Sequence, residues 1–263
     1  MANVVITGST RGIGLGLAKA FRERGHSVVI TSRGQSAVDA AVAELSATAG
    51  TGKVIGLACD VGNRDQVQAL WDGATAQLGS VDIWINNAGL TGPRKPVAEL
   101  TQAEIGPVID ANIWGMIWGV QIPYAGMSAQ GSGKIFTFEG FGSDGMTSPG
   151  LTVYGLTKRA LTYFTKGVNK EIKGSPVLLG TISPGIVVTD LLDESRGDDP
   201  EQWAKAKKIY NILADKVETV APFIVEQVLS TTKPGTAIKW LTGRKAAWRF
   251  ATSLFRKRNL FGE

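Results

Sequence analysis

Val4-Val5-Ile6-Thr7-Gly8-Ser9-Thr10-Arg11-Gly12-Ile13-Gly14 joins an apolar run to a glycine-rich turn, and a helix-length segment, Gly14–Arg24, follows at once. Glycine permits a tight turn and lets a phosphate approach the backbone. The helix start behind it offers free N–H groups and a positive partial charge. A strand, a glycine loop and a helix in this order point to a dinucleotide phosphate site.

The alternation continues along the chain. Val4–Thr7, Val28–Thr31, Val54–Ala58, Ile83–Asn86, Lys134–Phe138 and Val177–Ile182 are short and apolar on both faces, as strands of a covered parallel sheet require. Between them lie the helix-length segments Ala37–Ala47, Asp65–Leu78, Ile105–Ala125 and Leu156–Ile172. The pattern predicts a single-domain α/β fold with a Rossmann-type, doubly wound parallel sheet. Residues 1–243 read as the catalytic domain and 244–263 as a basic amphipathic tail. Gly197-Asp-Asp-Pro200 is the nearest thing to a linker, but it reads as a surface insertion between a strand and a helix.

Composition narrows the function classes. With 43% apolar and 19% charged residues, 263 residues can bury a large core. One cysteine, Cys59, excludes an internal disulfide and fits a reducing compartment. One histidine, His26, cannot build a histidine-based metal cluster, so no metal is expected. The chain enters its first strand without a basic leader, and Ile113–Val120 is far shorter than the ~20 residues that span a bilayer. A cytoplasmic location is therefore expected. The tail concentrates the positive charge, with seven basic residues against one acidic from Lys239 to Glu263.

The end of the second strand bears on which dinucleotide is bound. An acid there would accept hydrogen bonds from a ribose 2′-hydroxyl and repel a 2′-phosphate. Here Ile30-Thr31-Ser32-Arg33 has no acid until Asp39. Arg33, with Arg11 from the glycine loop, can pair with a 2′-phosphate, which favours NADP(H).

Tyr154-Gly155-Leu156-Thr157-Lys158 places a phenol and an ammonium four residues apart, on one face of a helix. A tyrosine keeps its proton to pH ~10. A neighbouring ammonium favours phenolate, so Tyr154 is expected to shift toward an acid/base usable near neutrality.

The loop spacing Gly-x-x-x-Gly-x-Gly and the motifs that follow it resemble the short-chain dehydrogenase/reductase family over about residues 3 to 192. Cys59-Asp60-Val61 looks like the family's adenine contact, Asn86-Asn87-Ala88-Gly89 closes the fourth strand, and Asn112 lies in the next helix. Pro184-Gly185-Ile186-Val187-Val188-Thr189-Asp190 stands where the family holds the nicotinamide carboxamide. The resemblance implies cofactor contacts from Thr7 to Gly14, from Ser32, Arg33, Asp60, Val61, Asn87, Ala88 and Gly89, and from Pro184, Gly185, Val187 and Thr189. It implies that Tyr154 protonates a carbonyl oxygen as hydride arrives, that Lys158 also binds the nicotinamide ribose, and that Asn112 holds a water of the proton relay.

One departure stands out. The family's serine, about 13 residues before the tyrosine, falls here among Gly140, Phe141 and Gly142, with Glu139 before the gap and Ser143 after it. Either Ser143 reaches the carbonyl through a reshaped loop or that donor is absent. The segment Phe138-Glu-Gly-Phe-Gly-Ser-Asp-Gly145 is similar to the chlorophyll b reductases of the non-yellow-coloring type. That likeness implies reduction of a formyl group on a chlorin ring to hydroxymethyl.

The alternatives are a reductase or dehydrogenase of another bulky apolar carbonyl or alcohol, and an inactive NADP-binding sensor or scaffold. Leu191–Leu213, with Trp203 and Tyr210, is expected to form the variable lid. Trp114 and Trp118 are expected at a helix-to-helix interface of a homodimer or homotetramer. In the tail, Trp248, Phe250, Leu254 and Phe255 mix with bases. Such a segment can lie on an anionic membrane surface, cover the substrate cleft or meet a neighbouring subunit. No nucleic-acid motif accompanies the charge.

Overall fold

The apolar runs form strands because both of their faces are buried. In the computed structural model, which describes residues 1–48, 50–194, 200–253, 255 and 258–261, β1 (Asn3–Ile6), β2 (Ser27–Ile30) and β4 (Ile83–Asn86) are almost wholly enclosed. Alternate residues face opposite sides of the sheet. Val4, Ile6, Val28, Ile30, Ile85 and Phe136 pack against Leu17, Phe21, Val220 and Ile224. Val5, Val29, Trp84, Ile135 and Leu179 pack against Leu70, Trp71, Val120 and Met127 on the other side.

The other strands of the sheet are β3 (Val54–Gly56), β5 (Gly133–Phe138), β6 (Val177–Ser183) and β9 (Ala237–Lys239). Among the described residues these seven strands make one sheet, in the order β3-β2-β1-β4-β5-β6-β9, and every pairing is parallel. Helices α1 (Gly12–Glu23) and α2 (Gln35–Ser46) follow β1 and β2, and α3 (Arg64–Leu78) follows β3. The chain is one doubly wound α/β domain, as its alternation predicts.

The expected helix from Ile105 to Ala125 is interrupted. It is built as α4 (Gln102–Ile109), a π turn over Asp110–Trp114, and α5 (Gly115–Gln130). α6 (Thr152–Glu171) starts four residues earlier than expected and takes in Tyr154. A two-stranded sheet of β7 (Val187–Val188) and β8 (Asp215–Lys216) brackets α7 (Asp190–Glu194) and α8 (Pro200–Leu213). α9 (Val217–Ser230) packs on α1, and α10 (Gly243–Thr252) packs on α8. Gly197 to Asp199 of the expected insertion, residues 195–199 of the expected lid, and Leu254 of the tail lie outside the described residues.

Candidate active site

Strand order reverses between β1 and β4, and the carboxyl ends of both strands open on the same crevice. Three side chains tie these ends together. Ser9 Oγ donates to the Ile6 carbonyl (2.7 Å) and accepts from Thr31 N–H (3.0 Å). Thr7 Oγ1 accepts from the N–H groups of Asn87 and Ala88, each at 3.0 Å. Asn87 Nδ2 donates to the carbonyls of Thr7 and Gly8, each at 2.9 Å. Thr7 and Ser9 thus brace the loop from behind. Gly8 sits at φ +63°, and a Cβ on it would lie 2.9 Å from Ala88 Cα.

The crevice holds a cavity of about 370 Å³. Of the residues singled out from sequence, Gly8, Thr10 to Gly14, Ser32, Arg33, Asp60, Val61, Asn87, Ala88, Gly89 and Thr189 line it. Cys59 and Asp190, each part of a motif singled out from sequence, line it too, as do Leu90, Pro107, Asp110, Ala111 and Leu191, which sequence reasoning did not assign to the cofactor. Leu90 directly follows the Asn-Asn-Ala-Gly turn, so its neighbourhood could have revealed it. Pro107, Asp110 and Ala111 reach the cavity only through the α4–π turn segment. Pro184, Gly185 and Val187 stand outside the lining. Gly185 (φ +70°) packs against Leu241, and Val187 pairs with Asp215.

The cavity fits a dinucleotide diphosphate. Gly12, Ile13 and Gly14 line it at the start of α1, where no side chain caps the helix and no acid occupies the first turn. Free N–H groups therefore face the site. Arg33 is exposed at the end of β2, and Asp39 accepts from Gln35 Nε2 on α2 at 2.7 Å. Arg11 lies 3.5 Å from Asp190 across the mouth. Burial first, and then the neighbouring Asp60 charge, push the Cys59 thiol up to about 12, so it stays protonated.

Beside the cavity, Tyr154 and Lys158 occupy successive turns of α6. Both are nearly inaccessible, at 9% and 7% exposure. Burial, rather than the neighbouring ammonium, is what shifts the phenol in this structure. Lys158 Nζ stands 5.7 Å from the Tyr154 ring centroid and donates instead to the Phe138 carbonyl at 3.1 Å. Burial pushes Tyr154 up to about 12 and Lys158 down to about 8, with Glu139 pulling Lys158 back upward.

Asn112 sits on the π turn with every polar atom in use. Its Oδ1 accepts from Leu90 N–H (2.8 Å), and Nδ2 donates to the Leu90 carbonyl (2.8 Å) and Thr157 Oγ1 (3.0 Å). It joins the Asn-Asn-Ala-Gly turn to α6. The local π geometry, common at functional sites, aims it inward.

Ser143 is 7% exposed, and its hydroxyl accepts from Gly140 N–H at 3.0 Å and donates to the Lys158 carbonyl at 3.3 Å. It braces the loop under Lys158. Gly140 is held where a Cβ would collide with the Tyr154 hydroxyl and lie 3.1 Å from Lys158 Cε.

On α8, within the segment expected to form a lid, Trp203 and Tyr210 meet Phe261 edge to face or tilted, at centroid distances of 5.8 and 6.4 Å. Arg249 and Arg258 converge on Asp215, with closest approaches of 2.8 and 2.7 Å, and Trp240 Nε1 donates to the same carboxylate at 2.6 Å. Two tail cations are thus turned inward against the lid helix. Among the described residues no helix is long and apolar enough to cross a membrane.

Comparison with known proteins bears on this geometry. The family model described as short chain dehydrogenase matches residues 2–200. Chlorophyll(ide) b reductase NOL, chloroplastic, from Oryza sativa subsp. japonica is 39% identical over 254 residues, 93% of this chain and 72% of that protein. Probable chlorophyll(ide) b reductase NYC1, chloroplastic, from Arabidopsis thaliana is 36% identical over 277 residues, 99% of this chain and 55% of that protein. The chain thus spans about half the length of NYC1. A solved 7α-hydroxysteroid dehydrogenase complexed with NADH and 7-oxo glycochenodeoxycholic acid has a TM-score of 0.80 at 25% identity, covering 92% of this chain and 93% of that one. Serine dehydrogenase complexed with NADP+ has a TM-score of 0.76 at 26% identity, covering 91% and 94%.

The chloroplastic relatives overturn the expected cytoplasmic location, which rested on composition and on the absence of a recognisable leader. The glycine loop, the parallel sheet that carries it and the matched model agree from Ala2 to Pro200, and the chain belongs to the short-chain dehydrogenase/reductase family, whose members act with a nicotinamide cofactor.

Proposed function

We propose that this chain uses NADPH to reduce a formyl group on a bulky apolar ring of the chlorophyll b kind to a hydroxymethyl group. The observation that carries the reading is the convergence of the Tyr154 hydroxyl and the Lys158 side chain on Gly140, beside the cavity. The likeness to NOL and NYC1 supports the substrate class. The exposed Arg33, on a strand end without an acid, supports the 2′-phosphate.

When bound, a nicotinamide cofactor would supply the hydride for the carbonyl carbon. Tyr154, held as a phenol by burial, donates its proton to the carbonyl oxygen, so one hydride and one proton account for the alcohol. Lys158 sits beside it as an ammonium at neutral pH and stabilises the phenolate left behind. Asn112 fixes the turn after β4 to α6 and keeps these groups in register. Thr10, Gly12 and Ile13, which line the cavity, would hold the diphosphate, and Thr189 would stand beside it. The stacked, partly exposed Trp114–Trp118 pair, with exposed Leu156 and Tyr163, supports a homodimer or homotetramer.

The test follows NADPH oxidation over formyl-bearing chlorins and simpler aldehydes and ketones, with product mass confirming the alcohol. Tyr154→Phe should abolish turnover and keep NADPH binding. A wild-type chain that binds NADPH but turns over none of these carbonyls is a scaffold, and the proposal fails. Light scattering that finds only monomer would remove the oligomer.

A further inference from the structure

Glu139 occupies the last step of β5 before the chain turns toward Gly140. Its N–H donates to the Ile182 carbonyl at 2.8 Å, which extends the β5–β6 ladder by one residue and fixes its direction. Strand residues alternate between faces. Phe136 and Phe138 point into the layer of α1 and α9. Thr137 points the other way, and its hydroxyl meets that of Thr165 on α6 at 3.3 Å. Glu139 therefore falls on the face that carries Tyr154 and Lys158. Lys158 holds the carbonyl of Phe138, the preceding residue. The neighbouring hydroxyl, that of Ser143, is spent on Gly140 and on the Lys158 backbone.

We infer that Glu139 is a positioning residue, the counter-charge that keeps Lys158 an ammonium in an almost sealed pocket. An ammonium removed from water with no opposite charge tends to shed its proton. The phenol of Tyr154 and the uncharged Asn112 lie near Lys158, and Glu139 directly follows the residue whose carbonyl the Lys158 ammonium holds. Among the described residues, Glu139 is the charged group whose field acts on the Lys158 ammonium. The strand tip thus offers a charge, and the proton affinity of Lys158 follows from it. The role rests on the carbonyl-reducing reading of the site, because a charged Lys158 matters only where Tyr154 must release a proton.

The experiment reads Lys158 directly, without substrate. Protein carrying ¹³Cε-lysine is titrated by NMR, and the Lys158 resonance is identified by its loss in Lys158→Arg. In Glu139→Gln the midpoint should fall by about one pH unit, a tenfold fall in the ammonium-to-amine ratio at a given pH. Glu139→Asp should restore most of the shift, and Glu139→Thr provides a second neutral side chain if the glutamine variant folds poorly. In turnover, the alkaline limb of kcat/KM should move down with the NMR midpoint. A Lys158 midpoint unchanged in a folded neutral variant overturns the inference and leaves the proposed reduction standing. A wild type without turnover would sink the reduction while the titration still decides the charge pairing.

Discussion

Gly140 is bare because Tyr154 takes up its space. A Cβ at that position would overlap the phenol oxygen and press on Lys158 Cε, and both groups lie deep under the loop with no room to retreat. Gly140→Ala should therefore move Tyr154 rather than unfold the sheet. A displacement of about 1 Å at a reacting group costs about 10²-fold. We expect kcat to fall by that order with NADPH affinity nearly unchanged, which single-turnover kinetics and fluorescence titration can separate. An alanine variant with wild-type kcat would show that the phenol has more freedom than the packing allows.

On the proposed NADPH reading, Arg33 is the residue that would hold the 2′-phosphate. Charge-assisted hydrogen bonds contribute about 1.5–3 kcal/mol each. Arg33→Ala should weaken NADPH by roughly tenfold to a hundredfold and leave NADH almost untouched. Calorimetry with both cofactors measures the ratio, and equal weakening would assign the preference elsewhere.

Lys158 is costly to bury. Its folded-state pKa of about 8 lies below the ordinary 10.5, so the unfolded chain binds more protons between those values and stability rises with pH across that window. Lys158→Met removes the titrating group, so the variant should be inactive and should lose the rise in stability between pH 8 and 10.5 that the wild type shows. Urea unfolding at about pH 8 and about pH 10 tests this, and a wild type whose stability falls across that window relative to the variant would contradict it.

Asp215 gathers the tail. Burial alone would raise its carboxyl, but hydrogen bonds from Arg249, Trp240 and Arg258 hold it below the ordinary 3.8. A carboxyl lowered in this way contributes stability above its unfolded value and loses it only as the solution becomes more acidic than that. Asp215→Asn should cost about 3 kcal/mol, because two arginines lose a buried partner. Faster proteolysis between residues 244 and 261 should accompany the loss. Unchanged cleavage would mean that the aromatic contacts to Phe261 hold the tail without it.

How legible the molecule is depends on the range of the interactions. The Tyr154–Lys158 pair could be read because a four-residue spacing on a helix is local, and the glycine loop because positive φ and close approach demand that residue type. The interruption at Asp110–Trp114 could not, since the apolar pattern runs unbroken through a π turn. Strand β9 was missed because three residues show no period. The burial that raises Tyr154 comes from the loop around Gly140, and the inward turn of Ser143 from Gly142 and Gly145 at φ +93° and +97°. Arg249 and Arg258 looked like free tail charges because their partner lies more than thirty residues away in the chain.

The small pairing of Val187 with Asp215 has an evolutionary meaning. The polypeptide leaves the sheet at one strand, builds α7 and α8, and comes back to hydrogen-bond with its own point of departure. Such a closed excursion can change length or sequence at a cost that grows only logarithmically, without shifting the strands that carry the cofactor machinery. A lineage could thus exchange the walls around the reacting carbonyl while inheriting the hydride chemistry intact.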